Sequence, residues 1–146
     1  MLILTRRLSV DSAAELIDFT LYLTAEERVR SRYRCQNQAG EEVYLRLPRG
    51  IVLRDRDLLT SEDGSARVLI AAKPEPLLIV TAQTPLDLLR ASYHLGNRHV
   101  PLQIAAGELR LNPDPVLQSM LEHLGLEVRE EVRPFQPETG AYGHNH

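Results

Sequence analysis

Cysteine occurs once in the 146 residues, at Cys35, so no intramolecular disulfide can form. No apolar run approaches the roughly 20 residues that a membrane-crossing helix needs. Met1-Leu2-Ile3-Leu4 is followed at once by Thr5-Arg6-Arg7, too short and too early-charged for a signal peptide, so a soluble cytoplasmic protein is expected. There is no glycine-rich phosphate loop, no nucleophile-elbow serine and no visible catalytic set, and the chain reads as a non-enzyme. A net charge of −3 argues against nucleic acid as the main partner. The strands around Leu102 and Leu109 also lack the aromatics with which a sheet stacks RNA bases.

The composition itself is that of a folded globular chain, with 25% charged and 43% hydrophobic residues. The first half reads as β. Leu2–Leu8 suits one strand. Phe19, Leu21 and Leu23 alternate with polar or half-polar neighbours at the period of two that marks a half-buried strand. Arg28, Arg30, Arg32 and Arg34 then alternate with Val29, Ser31, Tyr33 and Cys35, which in a strand would place four guanidinium groups on one face. Thr24-Ala25-Glu26-Glu27 imitates a helix start and allows at most one turn before that strand. The arginine face could bind an acidic partner or could guard an edge strand against mispairing. Cys35 is either an ordinary strand residue or a thiol whose pKa the arginines depress. Val43, Leu45 and Leu47 continue the alternation, and short strands are expected around Ile51–Leu53, Leu58-Leu59 and Ala66–Ala71. Together they suggest a small sandwich or open barrel.

Lys73-Pro74-Glu75-Pro76 reads as a stiff linker. Beyond it Leu77–Ala82 is a buried strand. Thr84 caps a helix with Pro85 at its first position and Asp87 in its first turn. Gly96 is placed as the left-handed residue that ends it. Val100–Ala105 and Glu108–Leu111 form a hairpin around Ala106-Gly107. Asp114-Pro115 starts a second helix with Val116, Leu117, Met120, Leu121 and Leu124 on its apolar face, closed by Gly125, and Leu126–Val132 is the last strand. The fold class is therefore α+β: an all-β domain over 1–73, a ferredoxin-like βαββαβ domain over 74–133, and a flexible tail over 134–146.

The chemistry on offer is histidine. His94 and His99 fall in Tyr93–Gln103, the junction between helix and strand, which is either a metal site or an ordinary helix end beside two solvated imidazoles. His94, in the last turn, suits a capping role, while His99 is freer to project. His123 suits surface capping. His144 and His146 form H-x-H at the end of the tail, and imidazole is a good ligand for nickel, copper and zinc. One His99 holds a metal poorly, but a two-fold axis could bring two together. The twelve residues from Val132 to His144 reach roughly 40 Å, so the tail could add ligands to a site that binds and releases.

Tyr93-His94-Leu95-Gly96-Asn97-Arg98-His99-Val100-Pro101-Leu102-Gln103-Ile104, followed by Gly107-Glu108-Leu109-Arg110, resembles the signature of the UreE family of urease accessory proteins. Leu45-Arg46-Leu47-Pro48-Arg49-Gly50 with Leu53-Arg54-Asp55 resembles the family's N-terminal half, and Pro134-Phe135 with Glu138-Thr139-Gly140-Ala141-Tyr142 its approach to the tail. The resemblance implies a peptide-binding-like β domain, a metal-binding ferredoxin-like domain that forms a homodimer, and delivery of Ni(II) for assembly of the urease active site. Zn(II) or Cu(II) are the competing ions. It implies that His99 is the central ligand, assisted by His144 and His146, and that the partners are the urease GTPase accessory protein UreG and the urease apoprotein complex. Asn112-Pro113-Asp114-Pro115 departs from members with histidines there, leaving Asp114 as the one possible auxiliary ligand. The competing reading is a non-metal interaction module that uses the Arg28–Arg34 face.

Overall fold

The computed structural model describes residues 1–9 and 16–139. The chain forms two compact units that divide at Lys73–Pro74.

The first unit holds two sheets. One has the order β1 (Leu2–Leu4), β5 (Glu42–Arg46), β4 (Arg32–Gln36). The other has the order β2 (Arg6–Leu8), β6 (Leu58–Thr60), β7 (Arg67–Ala72), β3 (Phe19–Leu23). The expected single strand Leu2–Leu8 is thus two, which break at Thr5 and pass the chain from one sheet to the other. Thr5 N–H donates to the Thr60 carbonyl at 3.0 Å to start the second pairing. The alternating residues Leu21, Leu23, Val43 and Leu45 are buried in one core with Leu4, Leu59, Val68 and Ile70. Ile51–Leu53 is not a strand. Leu53 is buried in that core while its N–H donates to the Arg28 carbonyl at 2.9 Å, so the segment supplies packing without joining a ladder.

The arginine alternation is overruled at its start by the capping signal. Thr24 caps α1 (Ala25–Arg28) in a full capping box: its hydroxyl accepts from Glu27 N–H at 3.3 Å, and Glu27 Oε1 accepts from Thr24 N–H at 2.8 Å. Arg28 is consequently helical and only 3% exposed. Arg30 pairs with Glu26 and lies over the Tyr33 ring at 5.3 Å. Tyr33 alternates with Arg32 and Arg34 along β4, so Arg30 is on the other side of the strand from them. Arg32 and Arg34 alone share the exposed face, and the Arg34 guanidinium lies 5.5 Å from the Tyr44 ring centre.

The second unit has the sheet order β11 (Glu127–Arg133), β8 (Glu75–Thr81), β10 (Glu108–Leu111), β9 (Gln103–Ala105), antiparallel throughout. With α2 (Pro85–Asn97) and α3 (Pro115–His123) this is the βαββαβ arrangement. The proline linker is absent as such, because Glu75 and Pro76 already belong to β8. Pro76 is tolerated there because it pairs only with Val132 of β11; the β10 ladder stops at Leu78. Leu78, Val80, Leu109 and Leu111 face the helices and pack with Ala91, Leu95 and Leu121. Of the apolar residues expected on the core face of α3, Val116 and Leu124 are exposed, and Leu117, Met120 and Leu121 do the packing.

Regular structure ends at Arg133, but the chain stays on the unit. Phe135 is 1% exposed, Gln136 N–H donates to Gln103 Oε1 at 2.9 Å, and Glu138 N–H donates to the Leu102 carbonyl at 2.7 Å.

The capping box carries a pH signature. Partial burial pushes the Glu27 carboxyl up, but the hydrogen bonds from Tyr33 and Thr24 outweigh it and leave the group below its ordinary value. The same Glu27 contact, aided by burial, pushes the Tyr33 hydroxyl up to about 12. A lowered folded value means that this contribution is present above the unfolded carboxylate value of about 4.3 and is lost as pH falls through the lowered one. Thr24→Ala is expected to lower stability by about 1 kcal/mol in urea unfolding at pH 7. An unchanged midpoint would contradict the capping assignment.

Candidate metal site

Thr84 starts α2 as expected: its hydroxyl accepts from Asp87 N–H at 3.2 Å, and Pro85 occupies the first turn. The C-terminal end differs from expectation. Gly96 is helical, the helix runs to Asn97, and Arg98 is the cap. The residue with left-handed backbone is His99, at φ 59°. His99 N–H donates to the Gly96 carbonyl at 3.0 Å and Val100 N–H to the Leu95 carbonyl at 3.2 Å. These are the two crossed bonds of a Schellman closure, with His99 in the place that glycine normally takes. Val100 packs on the core that contains Leu95, which supplies the accompanying apolar contact.

α3 shows the usual solution for comparison. Gly125, at φ 86°, donates to the Glu122 carbonyl, and Leu126 N–H donates to the Leu121 carbonyl. The same closure is thus built once with glycine and once with histidine. A side chain in left-handed backbone costs about 1 kcal/mol or more. Arg56 and His99 are the non-glycine residues that adopt it among the described residues. Such strain marks functional positions often enough to single His99 out.

The left-handed turn leaves the imidazole exposed at the end of the helix. His94 is exposed too, with its ring edge-on to Tyr93 at 5.7 Å, and it lies in the last turn near the negative end of the helix dipole. His123 is exposed in the last turn of α3, and His144 and His146 fall outside the described residues. Asp114 is engaged as the cap of α3, accepting from Val116 N–H at 2.9 Å and Leu117 N–H at 3.1 Å. Among the described residues no three of histidine, cysteine, aspartate and glutamate come together in a metal-binding group. His99 therefore stands apart from other side chains that could share a metal ion with it among the described residues.

Cys35 belongs to the first unit. Burial, reinforced by the Glu27 charge, pushes the thiol up to about 11, which favours the ordinary strand residue over the arginine-depressed thiol. The arginines point to the face of β4 that Cys35 does not share.

The outer face of α2 carries a feature that the sequence pattern alone did not single out. α2 has a second apolar stripe, Leu86, Leu89 and Tyr93, beside the buried Ala91 and Leu95. Leu89 is 65% and Tyr93 69% exposed, and Leu89 lines an apolar groove with Ile104 of β9. The signal was present in the helix, which has more apolar positions than one packed face requires.

Two outcomes follow from this geometry. His99→Gly should raise the unfolding midpoint, by about 0.5–1 kcal/mol, because glycine relieves the left-handed strain; a loss of stability would contradict the strain. Cys35 should alkylate slowly with iodoacetamide at pH 8 and accelerate only as pH nears 11; rapid modification at pH 7 would contradict its burial.

Comparison with known proteins shows the family. Residues 4–72 match the model of the N-terminal domain of the UreE urease accessory protein, and residues 75–146 match that of its C-terminal domain. The chain is 59% identical over 130 residues to the urease accessory protein UreE of Nostoc sp. (strain PCC 7120), covering 89% of this chain and 88% of that one. It is 60% identical over 122 residues to UreE of Thermosynechococcus vestitus, covering 84% and 85%. With UreE of Burkholderia orbicola it shares 54% over 127 residues, covering 87% of this chain and 62% of the longer relative. No helix among the described residues is long and apolar enough to cross a membrane. With both domain models matched in order along almost the whole length, the chain belongs to the UreE family of urease accessory proteins, which are assembly factors and not enzymes.

Proposed function

We propose that the protein is a cytoplasmic nickel metallochaperone that works as a homodimer and delivers Ni(II) for assembly of the urease active site. The observation that carries this reading is the exposed His99 held in left-handed backbone at the end of a helix whose outer stripe is apolar and uncovered. One imidazole is a weak hold on a divalent ion. A two-fold axis beside it doubles the ligand count, because an isologous contact brings together identical groups that lie near the axis. Leu89 and Tyr93 on α2, with Ile104 on β9, supply the apolar surface that a second copy would cover, and α2 is the helix that His99 closes.

His144 and His146 complete the ligand set. Glu138 is held at Leu102, three residues from His99, and His144 follows six residues later, a reach of about 20 Å. Nitrogen ligands of this kind suit nickel, with Zn(II) and Cu(II) as competitors. A site shared between two chains and completed by tail ligands releases its ion more readily than a closed cage, which fits delivery through UreG to the urease apoprotein complex.

Calorimetric nickel titration tests the assignment. His99→Ala should lose the high-affinity binding of the wild type; unchanged stoichiometry and affinity would remove His99 from the site. Leu89→Asp should sediment as a monomer and bind nickel weakly, whereas a Leu89→Asp dimer with full affinity would place the interface elsewhere. Because an imidazole must lose its proton to bind a metal, nickel affinity should fall as the solution is acidified, and an affinity indifferent to acid would contradict imidazole ligation.

A further inference from the structure

The outer face of the sheet β1-β5-β4 carries a cluster that nickel delivery does not use. Val43 and Leu45 of β5 are buried in the core of the first unit with Leu4 of β1, and Tyr33 and Cys35 of β4 pack against it. Alternation therefore turns Ile3, Tyr44, Arg46, Arg32 and Arg34 outward. The strand register sets them in two rows. Arg32 stands directly opposite Arg46, and Ile3, Tyr44 and Arg34 lie side by side across the three strands.

Of the arginines expected on one face of β4, Arg32 and Arg34 remain, and the structure adds Arg46 from the next strand. Guarding a sheet edge does not account for Arg46, because β5 is the central strand of the three. Like charges directly opposite on neighbouring strands destabilise a sheet, so Arg32 and Arg46 work against the fold that holds them. Arg46 meets the Glu62 carboxylate at 4.0 Å, but the two side chains are 44% and 87% exposed. An exposed pair of that kind contributes little, and a competing carboxylate displaces it readily. Arg34 is held differently. Its guanidinium lies over the Tyr44 ring, which orders the side chain before any partner arrives. Glu42, opposite Gln36, brings a carboxylate to the other end of the face, about 13 Å along the strand from Arg46.

Charge complementarity names the occupant. A guanidinium grips a carboxylate through two parallel hydrogen bonds. Arg32 and Arg34 sit about 7 Å apart along β4, the spacing of same-side side chains on an extended peptide. Ile3, 36% exposed, continues the Tyr44 ring as an apolar shelf beside the charges. A second copy of this face would meet it with charge of the same sign. Nucleic acid fits less well, because one half-buried tyrosine is a small stacking platform and the net charge of −3 opposes a polyanion. We propose that this face docks an extended acidic segment of a partner protein, with carboxylates on Arg32, Arg34 and Arg46 and an apolar side chain on the shelf of Ile3 and Tyr44. The docking lies in the first unit and needs no metal, so it stands or falls apart from the nickel reading.

Fluorescence anisotropy on the full-length protein, at low salt and without metal, tests this. The probe is a labelled peptide with glutamate at every second position, one leucine in that series and serine between; its counterpart carries glutamine for glutamate. The wild type should bind the glutamate peptide, release it as salt rises and ignore the glutamine peptide. Arg34→Gln and Arg46→Gln should each weaken binding about tenfold, the loss of one charge-assisted contact. Arg30→Gln removes the same charge from the Tyr33 side of β4 and should keep wild-type affinity. Arg46→Gln should also unfold at an equal or higher urea concentration, since it removes the like-charge contact with Arg32.

A glutamate peptide that fails to bind, one bound no better than its glutamine counterpart, or an equal loss in Arg30→Gln would overturn the proposal. A lower urea midpoint for Arg46→Gln would give that residue to the fold and overturn it as well. A single-stranded oligonucleotide of the same length that binds more tightly, and loses affinity in Arg34→Gln and Arg46→Gln, would assign the face to nucleic acid instead.

Discussion

The closure at the end of α2 is the constraint on which the rest of the site depends. Two crossed backbone bonds end the helix only if the residue between them turns left-handed, and that residue here is a histidine. The turn throws the imidazole off the end of the helix while Val100 and Leu102 return to the core behind it. The direction of the imidazole is therefore decided by backbone hydrogen bonding and by the packing of its neighbours, not by side-chain contacts of its own. α3 shows that the fold closes the same way with Gly125. Using histidine at the equivalent place trades stability for an exposed imidazole with a defined root.

The sheet of the second unit serves both of its faces. Leu78, Val80, Leu109 and Leu111 bury against the helices and fix α2, and with it His99. The opposite face carries the ion pairs of Arg110 with Glu108 and of Arg133 with Glu131, at 2.6 and 2.7 Å, and the segment that leaves Arg133 reaches Leu102 through Glu138. Both routes converge on the loop from His99 to Gln103. The end of α2 and the segment held at Glu138 thereby meet at one loop.

Much of this was legible in the sequence because it rests on local chemistry. Thr84-Pro85 and Asp114-Pro115 started their helices, Gly125 closed one, period-two alternation found β3 and β5, and the turn at Ala106-Gly107 found β10. The misreadings came where two local signals competed or where tertiary structure chose. The Thr24–Glu27 capping box prevailed over the arginine alternation and took Arg28 into a helix. Gly96 looked like the helix end, but the apolar spacing of Leu95 and Val100 fits a closure three residues later, and no propensity favours histidine there. Leu2–Leu8 is one strand by pattern and two by sheet. Phe135 stood between prolines in a stretch that reads as tail, and only its burial reveals it as core. The candidate metal site was the least legible part: the helix–strand junction and a two-fold axis made His99 a candidate among alternatives, and only the family resemblance made it the expected central ligand.

The central claim is that two copies of His99 share one ion. Diffraction from nickel-loaded crystals at the nickel absorption edge tests it directly. The account predicts one anomalous peak on the two-fold axis between protomers, within bonding distance of both His99 imidazoles. A peak held inside a single chain, away from His99, would contradict it.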